Sequence, residues 1–182
     1  MKVENNIMVD IETLGNVSNS IIASIGAVKF NLVTGETVDS FHRLIDLDSC
    51  ISLGMVCSGF TIKWWLQQPQ AARDYLCNGE SVSIQDALND FSEFCDGDYD
   101  IWGNSPRFDL GILHNAYKLI GKPIPWNFRN ELDVRTIVAF NPYIKANWEH
   151  VGVLHNAIDD CVNQVGYLSM TYNEISNDLN KK

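Results

Sequence analysis

The sequence has little positive charge. It contains 13 lysines and arginines against 23 aspartates and glutamates, which gives a net charge of −10 at pH 7. Proteins that bind long duplex nucleic acid through its phosphates are usually basic, so this composition argues against an extended duplex-binding surface. Bound divalent cations reverse the electrostatic field at a local site. A nucleic-acid enzyme with a small footprint, such as the end of a single strand, is therefore still allowed.

Long apolar runs and paired cysteines are also missing. No run approaches the roughly 20 apolar residues of a transmembrane helix, and the segment Met1–Asn6 lacks the basic stretch and apolar core of a signal peptide. The five cysteines are odd in number and include no Cys-x-x-Cys pair, which favours reduced thiols over a disulfide framework or a zinc site. These features predict a cytoplasmic protein with no membrane association.

The chain has the length and composition of one domain. Of its 182 residues, 46% are hydrophobic and 20% are charged, which is ordinary for a globular protein with a sizeable core. It contains no internal repeat, no low-complexity stretch and no linker. We expect a single domain over residues 1–182, with its core between about 7 and 168.

Apolar periodicity predicts an α/β domain with a mixed central sheet flanked by helices. The predicted strands are Ile7–Asp10, Ser20–Phe30, Val38–Ile45 and Tyr99–Gly103. The predicted helices are Thr61–Leu66, Gln70–Cys77, Ser83–Cys95, Pro106–Ile120, Leu132–Phe140 and His155–Ile175. The stretches 46–59, 123–130 and 141–152 are interpreted as loops, and the tail 176–182 as frayed. Short connections make the first three strands an antiparallel meander, in which Gly26 indicates a bulge or a close approach.

Two carboxylates follow the first apolar run at an interval of two residues. On a strand, the side chains of Asp10 and Glu12 point to the same face. Adjacent carboxylates repel each other unless a cation lies between them, so the pair indicates half of a divalent-metal site. The alternative is that the two acids simply end a strand. Matching acids elsewhere in the chain would favour the metal site.

Three further residues supply such a match. Asp109 lies in the first turn of the helix after the fourth predicted strand, and His155 precedes Asp160 by five residues, just over one helical turn. One helix would then present the imidazole and the carboxylate to the same site. Each acid alone is also explained by the favourable interaction of a carboxylate with a helix N-terminus. Their occurrence together and in this order is harder to explain in that way.

The ordered set resembles a known nuclease superfamily. It consists of Asp10-x-Glu12, Asn104-x-x-x-Phe108-Asp109 and His155-x-x-x-x-Asp160. This pattern resembles the DEDD superfamily of 3′-5′ exonucleases, which has an RNase H-like fold. The histidine five residues before the last aspartate resembles the DEDDh branch. The DEDDy branch would have a tyrosine four residues before that aspartate, where this chain has Asn156.

Two more stretches resemble a subgroup of that branch. The first contains Trp64 and Trp65 followed by the Ala-Arg pair at Arg73, and the second is the segment Glu131–Thr136. Both resemble small phage and prophage exonucleases of the exodeoxyribonuclease-VIII-like type and the mycobacterial 3′-5′ exoribonuclease type. The resemblance extends from about Ile7 to Leu168. It implies an RNase H-like fold and a homodimer.

The carboxylate set and the resemblance together imply a chemistry. All-oxygen ligation suits Mg²⁺ or Mn²⁺ rather than zinc, and two ions would clamp the attacking and leaving oxygens of a phosphoryl displacement. The resemblance implies that Asp10 bridges the two ions, Glu12 and Asp160 complete the ion that carries the attacking water, and Asp109 holds the other. It also implies that His155 is the general base. The expected reaction releases nucleoside 5′-monophosphates from the 3′ end of single-stranded RNA or DNA.

Six residues near these motifs are expected to bind substrate. They are Thr13, Leu14, Gly15, Asn104, Phe108 and Arg135. Backbone contacts of Thr13, Leu14 and Gly15 with the terminal sugar are implied by the resemblance, and Leu14 and Phe108 are suited to stack on terminal bases, although both also suit a core. Asn104 either orients the strand or caps the helix at Pro106, and Arg135 either contacts a phosphate or pairs with Asp133.

A catalytically idle module on the same fold, which would hold strand ends or a partner protein, is the alternative function. The intact set of four acids and one histidine disfavours it.

Overall fold

The computed structural model describes residues 1–179 and has a six-stranded mixed β-sheet at its centre. The strands are β1 (Asn6–Thr13), β2 (Ile22–Phe30), β3 (Thr37–Ile45), β4 (Ser81–Val82), β5 (Asp100–Gly103) and β6 (Glu131–Asp133). Their order across the sheet is β4-β3-β2-β1-β5-β6. β1, β2 and β3 form an antiparallel meander, β5 lies parallel to β1 on its other side, and β6 lies parallel to β5. The predicted mixed sheet with its meander is confirmed.

Helices cover both faces of this sheet. They are α1 (Leu47–Ser52), α2 (Gly59–Leu66), α3 (Gln70–Cys77), α4 (Ile84–Phe94), α5 (Asp109–Leu119), α6 (Val134–Val138), α7 (Pro142–Ala146) and α8 (Ala157–Leu179), with a 3₁₀ turn at Phe128–Asn130. In the part of the chain that the structure describes, no helix has the length and apolar character needed to cross a lipid bilayer.

The strand β1 alternates between two apolar cores. Ile7 and Val9 project into a core shared with α4 and α5, whereas Met8 projects into a second core shared with α6 and α8. Burying each such aliphatic side chain stabilises the fold by about 1.5–3 kcal/mol. Because side chains two residues apart share a face, Asp10 and Glu12 follow Met8 onto the side of the sheet that α8 covers. The same alternation that builds the two cores thus aims both carboxylates at α8.

Two short helices lie in stretches predicted as loops. The side chain of Asp46 caps α1 by accepting a hydrogen bond from the backbone N–H of Asp48 at 3.2 Å, and Pro142 occupies the first position of α7. Helices of five or six residues contain too few turns to show an apolar period. Local capping signals, rather than periodicity, therefore mark them.

Several element boundaries differ from the prediction. β1 continues through Thr13, so Asp10 and Glu12 lie inside the strand instead of at its end. The helix predicted from Pro106 begins at Asp109, which excludes Asn104 as its cap. α2 begins at Gly59, two residues before the predicted start at Thr61, and Ser58 caps it. The predicted helix Leu132–Phe140 is split into β6 and the shorter α6, and α8 begins at Ala157 and extends to Leu179, into the tail that was predicted to fray; residues 180–182 lie outside the described part.

Gly26 is a point of close approach between β2 and α8. It lies opposite Asp10 in the β1–β2 ladder. A Cβ atom at this position would come within 2.5 Å of the carbonyl carbon of Ala157, the first residue of α8. The absence of a side chain therefore lets the start of α8 lie directly over the strand pair that carries the acids. This agrees with the close approach indicated by the sequence.

We expect Gly26→Ala to displace the start of α8. The added methyl group has no space, and overpacking of this kind costs about 1–3 kcal/mol. The matched control is Gly59→Ala, where a Cβ atom would meet nothing within 4 Å. Urea unfolding should show a lower unfolding free energy for Gly26→Ala alone, together with lower nuclease activity. A Gly26→Ala protein as stable as the control would show that the close approach is not required.

Candidate active site

The acids of β1 reach the site from the centre of the sheet. Asp10 pairs with Gly26 and Glu12 pairs with Ser24 in the ladder, and the register shifts between Glu12 and Thr13. Irregular pairing of this kind is frequent beside active sites because it re-aims side chains. Glu12 is buried and Asp10 is half-buried. Both carboxylates lie under the first turns of α8.

Asp160 and His155 come from the other side of the site, but not from one helix as predicted. Asp160 lies in the first turn of α8, and its backbone N–H donates to the carbonyl of Asn156 at 2.8 Å. His155 lies in the preceding turn with φ of +63°, a left-handed conformation that is uncommon for a side chain of this type. The turn, rather than helical spacing, brings the imidazole to the carboxylate. The prediction that one helix carries both residues is therefore wrong, because α8 begins two residues after His155.

Asp109 joins the site through the loop that follows β5. β5 ends at Gly103, opposite Val9, so the next backbone N–H of β1 on that side has no strand partner. Asp109 Oδ1 accepts a hydrogen bond from the N–H of Ile11 at 3.4 Å. Because a buried backbone N–H requires a partner, this contact ties the helix start to β1 and fixes the third carboxylate beside the first two.

The five sequence-predicted catalytic positions therefore meet in one place. One ligand atom each of Glu12, His155 and Asp160 lie within 4.8 Å of one another. The rings of Trp64 and Trp65 contact His155 edge-on, with centroid distances of 4.8 and 5.9 Å. The indole N–H of Trp65 donates to the carbonyl of Thr13 at 2.9 Å, which anchors α2 to the end of β1.

The four carboxylates disfavour their own ionisation. Burial, followed by the charges of Asp109 and Asp160, raises the pKa of Asp10 well above its ordinary value. Burial, followed by the charge of Asp10, does the same for the pKa of Glu12. Burial also raises the pKa of Asp109 to about 7 and raises that of Asp160. At neutral pH the metal-free site therefore retains protons that ordinary carboxyl groups would have lost.

Two residues beside the acids were not singled out from the sequence. Gln164 Nε2 donates to Asp10 Oδ1 at 2.8 Å, and His150 Nε2 lies 3.9 Å from Asp160 Oδ1. Gln164 follows Asp160 by four residues, so helical spacing on α8 was a signal that could have found it. His150 lies in a loop, where no spacing rule applies.

The donor set fits divalent cations. Carboxylate oxygens are the ligands that Mg²⁺ and Mn²⁺ prefer, and four carboxylates gathered in one site require cations or protons between them. Two buried atoms next to the acids, His150 Nε2 and Gln164 Oε1, have no hydrogen-bond partner among the described residues. Unsatisfied buried atoms are rare in native structures. Their position here fits a site organised around a polar ligand.

A cleft of about 260 Å³ opens beside Glu12. Three predicted substrate-binding residues, Thr13, Gly15 and Phe108, line it together with Phe60 and Trp64.

The other predicted substrate-binding residues lie outside this lining. Leu14 packs against the core beside β1. The side-chain oxygen Oδ1 of Asn104 is buried and has no hydrogen-bond partner among the described residues. Arg135 is exposed and forms no ion pair with Asp133, whose carboxylate instead caps α6. The positive charge of Arg135 lowers the pKa of Asp109, but burial raises that pKa by more.

Comparison with known proteins identifies the family. The family model of the Rv2179c-like 3′-5′ exoribonuclease domain matches residues 5–172. A search of curated protein sequences finds no match.

Two solved exonuclease structures are similar to this chain. The chain is similar to the zinc-bound complex of Escherichia coli exonuclease I with single-stranded DNA, with a TM-score of 0.70, 15% identity and 95% coverage of this chain. It is also similar to the nuclease domain of 3′hExo, a DEDDh family member bound to rAMP, with a TM-score of 0.61, 13% identity, and coverage of 94% of this chain and 93% of that one. It spans only 41% of the exonuclease I chain. At these identities the likeness establishes the RNase H-like fold.

The match of the family model is not confined to one motif. It begins one residue before β1 and ends inside α8, so it includes every strand of the sheet and every element that contributes to the site. The chain belongs to the Rv2179c-like 3′-5′ exoribonuclease domain family.

Proposed function

We propose that the enzyme hydrolyses single-stranded nucleic acid from its 3′ end in a reaction that depends on two divalent cations and releases nucleoside 5′-monophosphates. The observation that carries this proposal is the convergence of Glu12, His155 and Asp160 within 4.8 Å beside two further carboxylates with raised pKa values. The residues of a phosphodiester hydrolase and the electrostatic need for cations are thus found in the same site.

Asp10, Glu12, Asp109 and Asp160 would hold two Mg²⁺ ions, for which Mn²⁺ would substitute, with Asp10 as the shared ligand. When bound, the ions would neutralise the negative charge of the phosphate and lower the pKa of the attacking water. Gln164 Nε2 donates to Asp10 Oδ1 at 2.8 Å. This contact would orient the shared carboxylate before substrate arrives.

His155 is proposed to accept the proton of the attacking water. Its ring is held edge-on by Trp64 and Trp65, so the imidazole has a defined orientation without a hydrogen bond to the tryptophans. Water would attack the phosphorus, the P–O3′ bond would break, and the leaving 3′-oxygen would take up a proton. A positioned general base contributes about 10²–10⁴-fold to such a step.

The cleft beside Glu12 is proposed to receive the last nucleotide. Its lining includes Thr13 and Gly15 at the end of β1 and the aromatic side chains of Phe60 and Phe108, and aromatic side chains stack on bases of any sequence. Asn104 and Arg135, together with Leu14, would act outside the cleft on the strand behind it. Both RNA and DNA are included as substrates.

Homodimer formation and a phage or prophage origin are proposed from the sequence resemblance. The tryptophans of α2 are occupied within the chain, because Trp65 is buried and Trp64 contacts His155. The exposed apolar side chains of α2 are Phe60, Ile62 and Leu66. A dimer that uses α2 would therefore contact these three side chains.

A cytoplasmic location is proposed on the basis of cysteine chemistry. All five cysteines are free thiols. Burial raises the pKa of Cys50 to about 11 and that of Cys95 to about 12, so neither is a reactive thiolate at neutral pH. Unpaired thiols of this kind are typical of a reducing compartment.

The test uses single-stranded RNA and DNA that carry a label at the 5′ end. With Mg²⁺ we expect a ladder of strands shortened from the 3′ end, with nucleoside 5′-monophosphates as products, and with a chelator we expect no shortening. If neither the RNA nor the DNA strand is shortened, the proposal is wrong. Release of the labelled 5′ nucleotide as the first product would contradict the proposed direction.

A further inference from the structure

Two clefts follow the helix α5 away from the active site. The first has a volume of about 530 Å³ and is lined by Asn16, Arg107 and Phe108 among others. The second has a volume of about 810 Å³ and its lining includes Lys118 and Lys122. Both clefts lie beyond the active-site cleft, which shares Phe108 with the first of them.

The first cleft adjoins the active site, and the second lies next to it along α5. Asn16 and Phe108 line both the active-site cleft and the first of the two further clefts. Asn115, in the lining of the second cleft, donates a hydrogen bond of 3.0 Å to the side chain of Asn19, which follows the lining residue Ser18 of the first cleft. Since α5 rises 1.5 Å per residue, Lys118 lies about 13 Å along the helix from Asp109.

The charge of these two clefts is opposite to that of the protein. The chain has a net charge of −10, yet neither lining contains an aspartate or a glutamate. Arg107, Lys118 and Lys122 form no salt bridge among the described residues, and Lys122 Nζ instead donates to the amide oxygen of Asn89 at 2.5 Å. Glu131 contacts the second lining, since its Oε1 lies 2.6 Å from Nε2 of the lining residue His114.

In contrast, three cations elsewhere in the described chain are neutralised. Lys2, Lys29 and Arg43 each pair with aspartates at 2.7–3.7 Å. Other cations of the described chain, such as Lys63, Arg73 and Lys145, also form no salt bridge. The clefts along α5 differ in that Arg107, Lys118 and Lys122 line them without any aspartate or glutamate. A surface of this kind attracts a polyanion even when the net charge of the protein is negative.

An aromatic side chain ends the second cleft. Phe128 is 61% exposed, and the guanidinium carbon of Arg129 lies 4.7 Å from its ring centroid. Proteins that bind single strands combine a cationic groove with aromatic platforms on which bases stack. Phosphate-binding lysines on one side and an exposed ring on the other supply both parts.

We propose that the two clefts along α5 hold the 5′-ward part of the strand whose 3′ end lies in the active site. This proposal rests on the proposed function and extends it, because it assigns the enzyme a preference for strands longer than the few nucleotides that fit beside the acids. The occupant is single-stranded RNA or DNA, recognised through its phosphates and base faces and not through its sequence.

The test compares two double variants with the same change in charge. Lys118→Gln/Lys122→Gln removes the two cations of the second cleft. Lys2→Gln/Lys29→Gln removes two cations near the opposite end of β1, where Lys29 pairs with Ile7 in the ladder. Lys118 and Lys122 are exposed, so the fold tolerates their loss. Lys2 and Lys29 are partly buried in ion pairs with Asp98 and Asp39, so Tm of the control variant is measured together with its activity. The substrates are oligo(U) and oligo(dT) strands of about 12 nucleotides and the corresponding dinucleotides.

For the α5 variant, we expect the ratio of kcat/KM for the long strand to kcat/KM for the dinucleotide to fall by about three- to thirtyfold. The logarithm of the binding constant for the long strand falls linearly with the logarithm of the salt concentration, and each phosphate contact adds about 0.7 to the steepness for a single strand. Removing two lysines should therefore make this slope shallower by about 1.4. Phe128→Ala should lower the same ratio by about fivefold or more. The control variant should retain the ratio of the natural protein.

An unchanged ratio in both the lysine and the Phe128 variants would overturn the proposal, and so would an equal loss on the long and short substrates. If the α5 variant instead alters the molecular mass in solution, the clefts bind a second copy of the chain, and the proposal is wrong. Failure of the natural protein to hydrolyse either substrate would contradict the proposed function itself. Binding of labelled strands by Asp10→Asn protein would still test the α5 clefts in that case.

Discussion

Replacing Asp10 by asparagine should abolish hydrolysis while making the metal-free protein more stable. The amide keeps the shape of the carboxyl group but removes a ligand of both proposed cations. Because bound ions contribute several kcal/mol to the transition state, kcat should fall at least about a thousandfold. The charge that is lost is one that burial and two neighbouring carboxylates oppose. Function and stability should therefore change in opposite directions.

The stability change should depend on pH in a defined direction. Ordinary carboxyl groups titrate near pH 4 when the chain is unfolded, whereas burial raises the folded pKa of Asp109 to about 7 and those of Asp10 and Glu12 well above their ordinary values. Between these limits the folded protein binds more protons than the unfolded chain. The unfolding free energy of the metal-free protein therefore falls as pH rises from about 4 through about 7.

Thermal unfolding of metal-free protein across this range measures the effect. Tm of the natural protein should decrease as pH rises from about 5 to about 8, and Asp10→Asn should show a smaller decrease. Added Mg²⁺ should restore Tm most strongly at the higher pH, because only ionised carboxylates bind it. Asp39→Asn, at an exposed aspartate that pairs with Lys29, is the control and should retain activity. A Tm of Asp10→Asn protein that lies below that of the natural protein at pH 8 would contradict the expectation.

Replacing His155 by glutamine should lower kcat by about 10²–10⁴-fold and leave the binding of divalent cations unchanged. The imidazole lies within 4.8 Å of Glu12 and Asp160, close enough to act either as a base or as a ligand. The proposed role is the base. Titration of Mn²⁺ by calorimetry separates the two roles, since the loss of a base leaves the metal affinity intact and the loss of a ligand does not.

His42→Gln is the matched control for this substitution. The side chain of His42 hydrogen-bonds the hydroxyl group of Tyr75 and contacts none of the four carboxylates. It should retain the activity of the natural protein. A His155→Gln enzyme with an unchanged kcat would remove the general base from the mechanism, even if the nuclease activity stands. Weakened Mn²⁺ binding would assign His155 to the metal site instead.

The parts of the fold that follow from local periodicity were predictable. Alternation along β1 places Ile7 and Val9 in one core and Met8 in the other, and the same alternation places Asp10 and Glu12 on a common face. The meander follows from short connections between alternating segments. The first-turn position of Asp109 on its helix was also correct, although the helix begins three residues later than expected.

Features that depend on contacts between distant segments were not predictable. His155 reaches the site through a left-handed turn, not through the helical spacing that the motif suggests. The contact of Trp64 with His155 joins residues 91 positions apart in the chain, and the partner of His150 is set by the path of a loop. The ordered motif predicts which residues meet in the site, because its members keep their order along the chain. It does not show which loops hold those residues in place.

The most direct test of the four-carboxylate site is an anomalous difference map from crystals grown with Mn²⁺ and a nucleoside 5′-monophosphate. We expect two peaks roughly 3.5–4 Å apart, both bound by Asp10, with Glu12 and Asp160 at one and Asp109 at the other, and with His155 near the phosphate and outside the ligand set. Absence of any peak among these carboxylates, at a Mn²⁺ concentration that supports hydrolysis, would show that the reaction does not use the site described here.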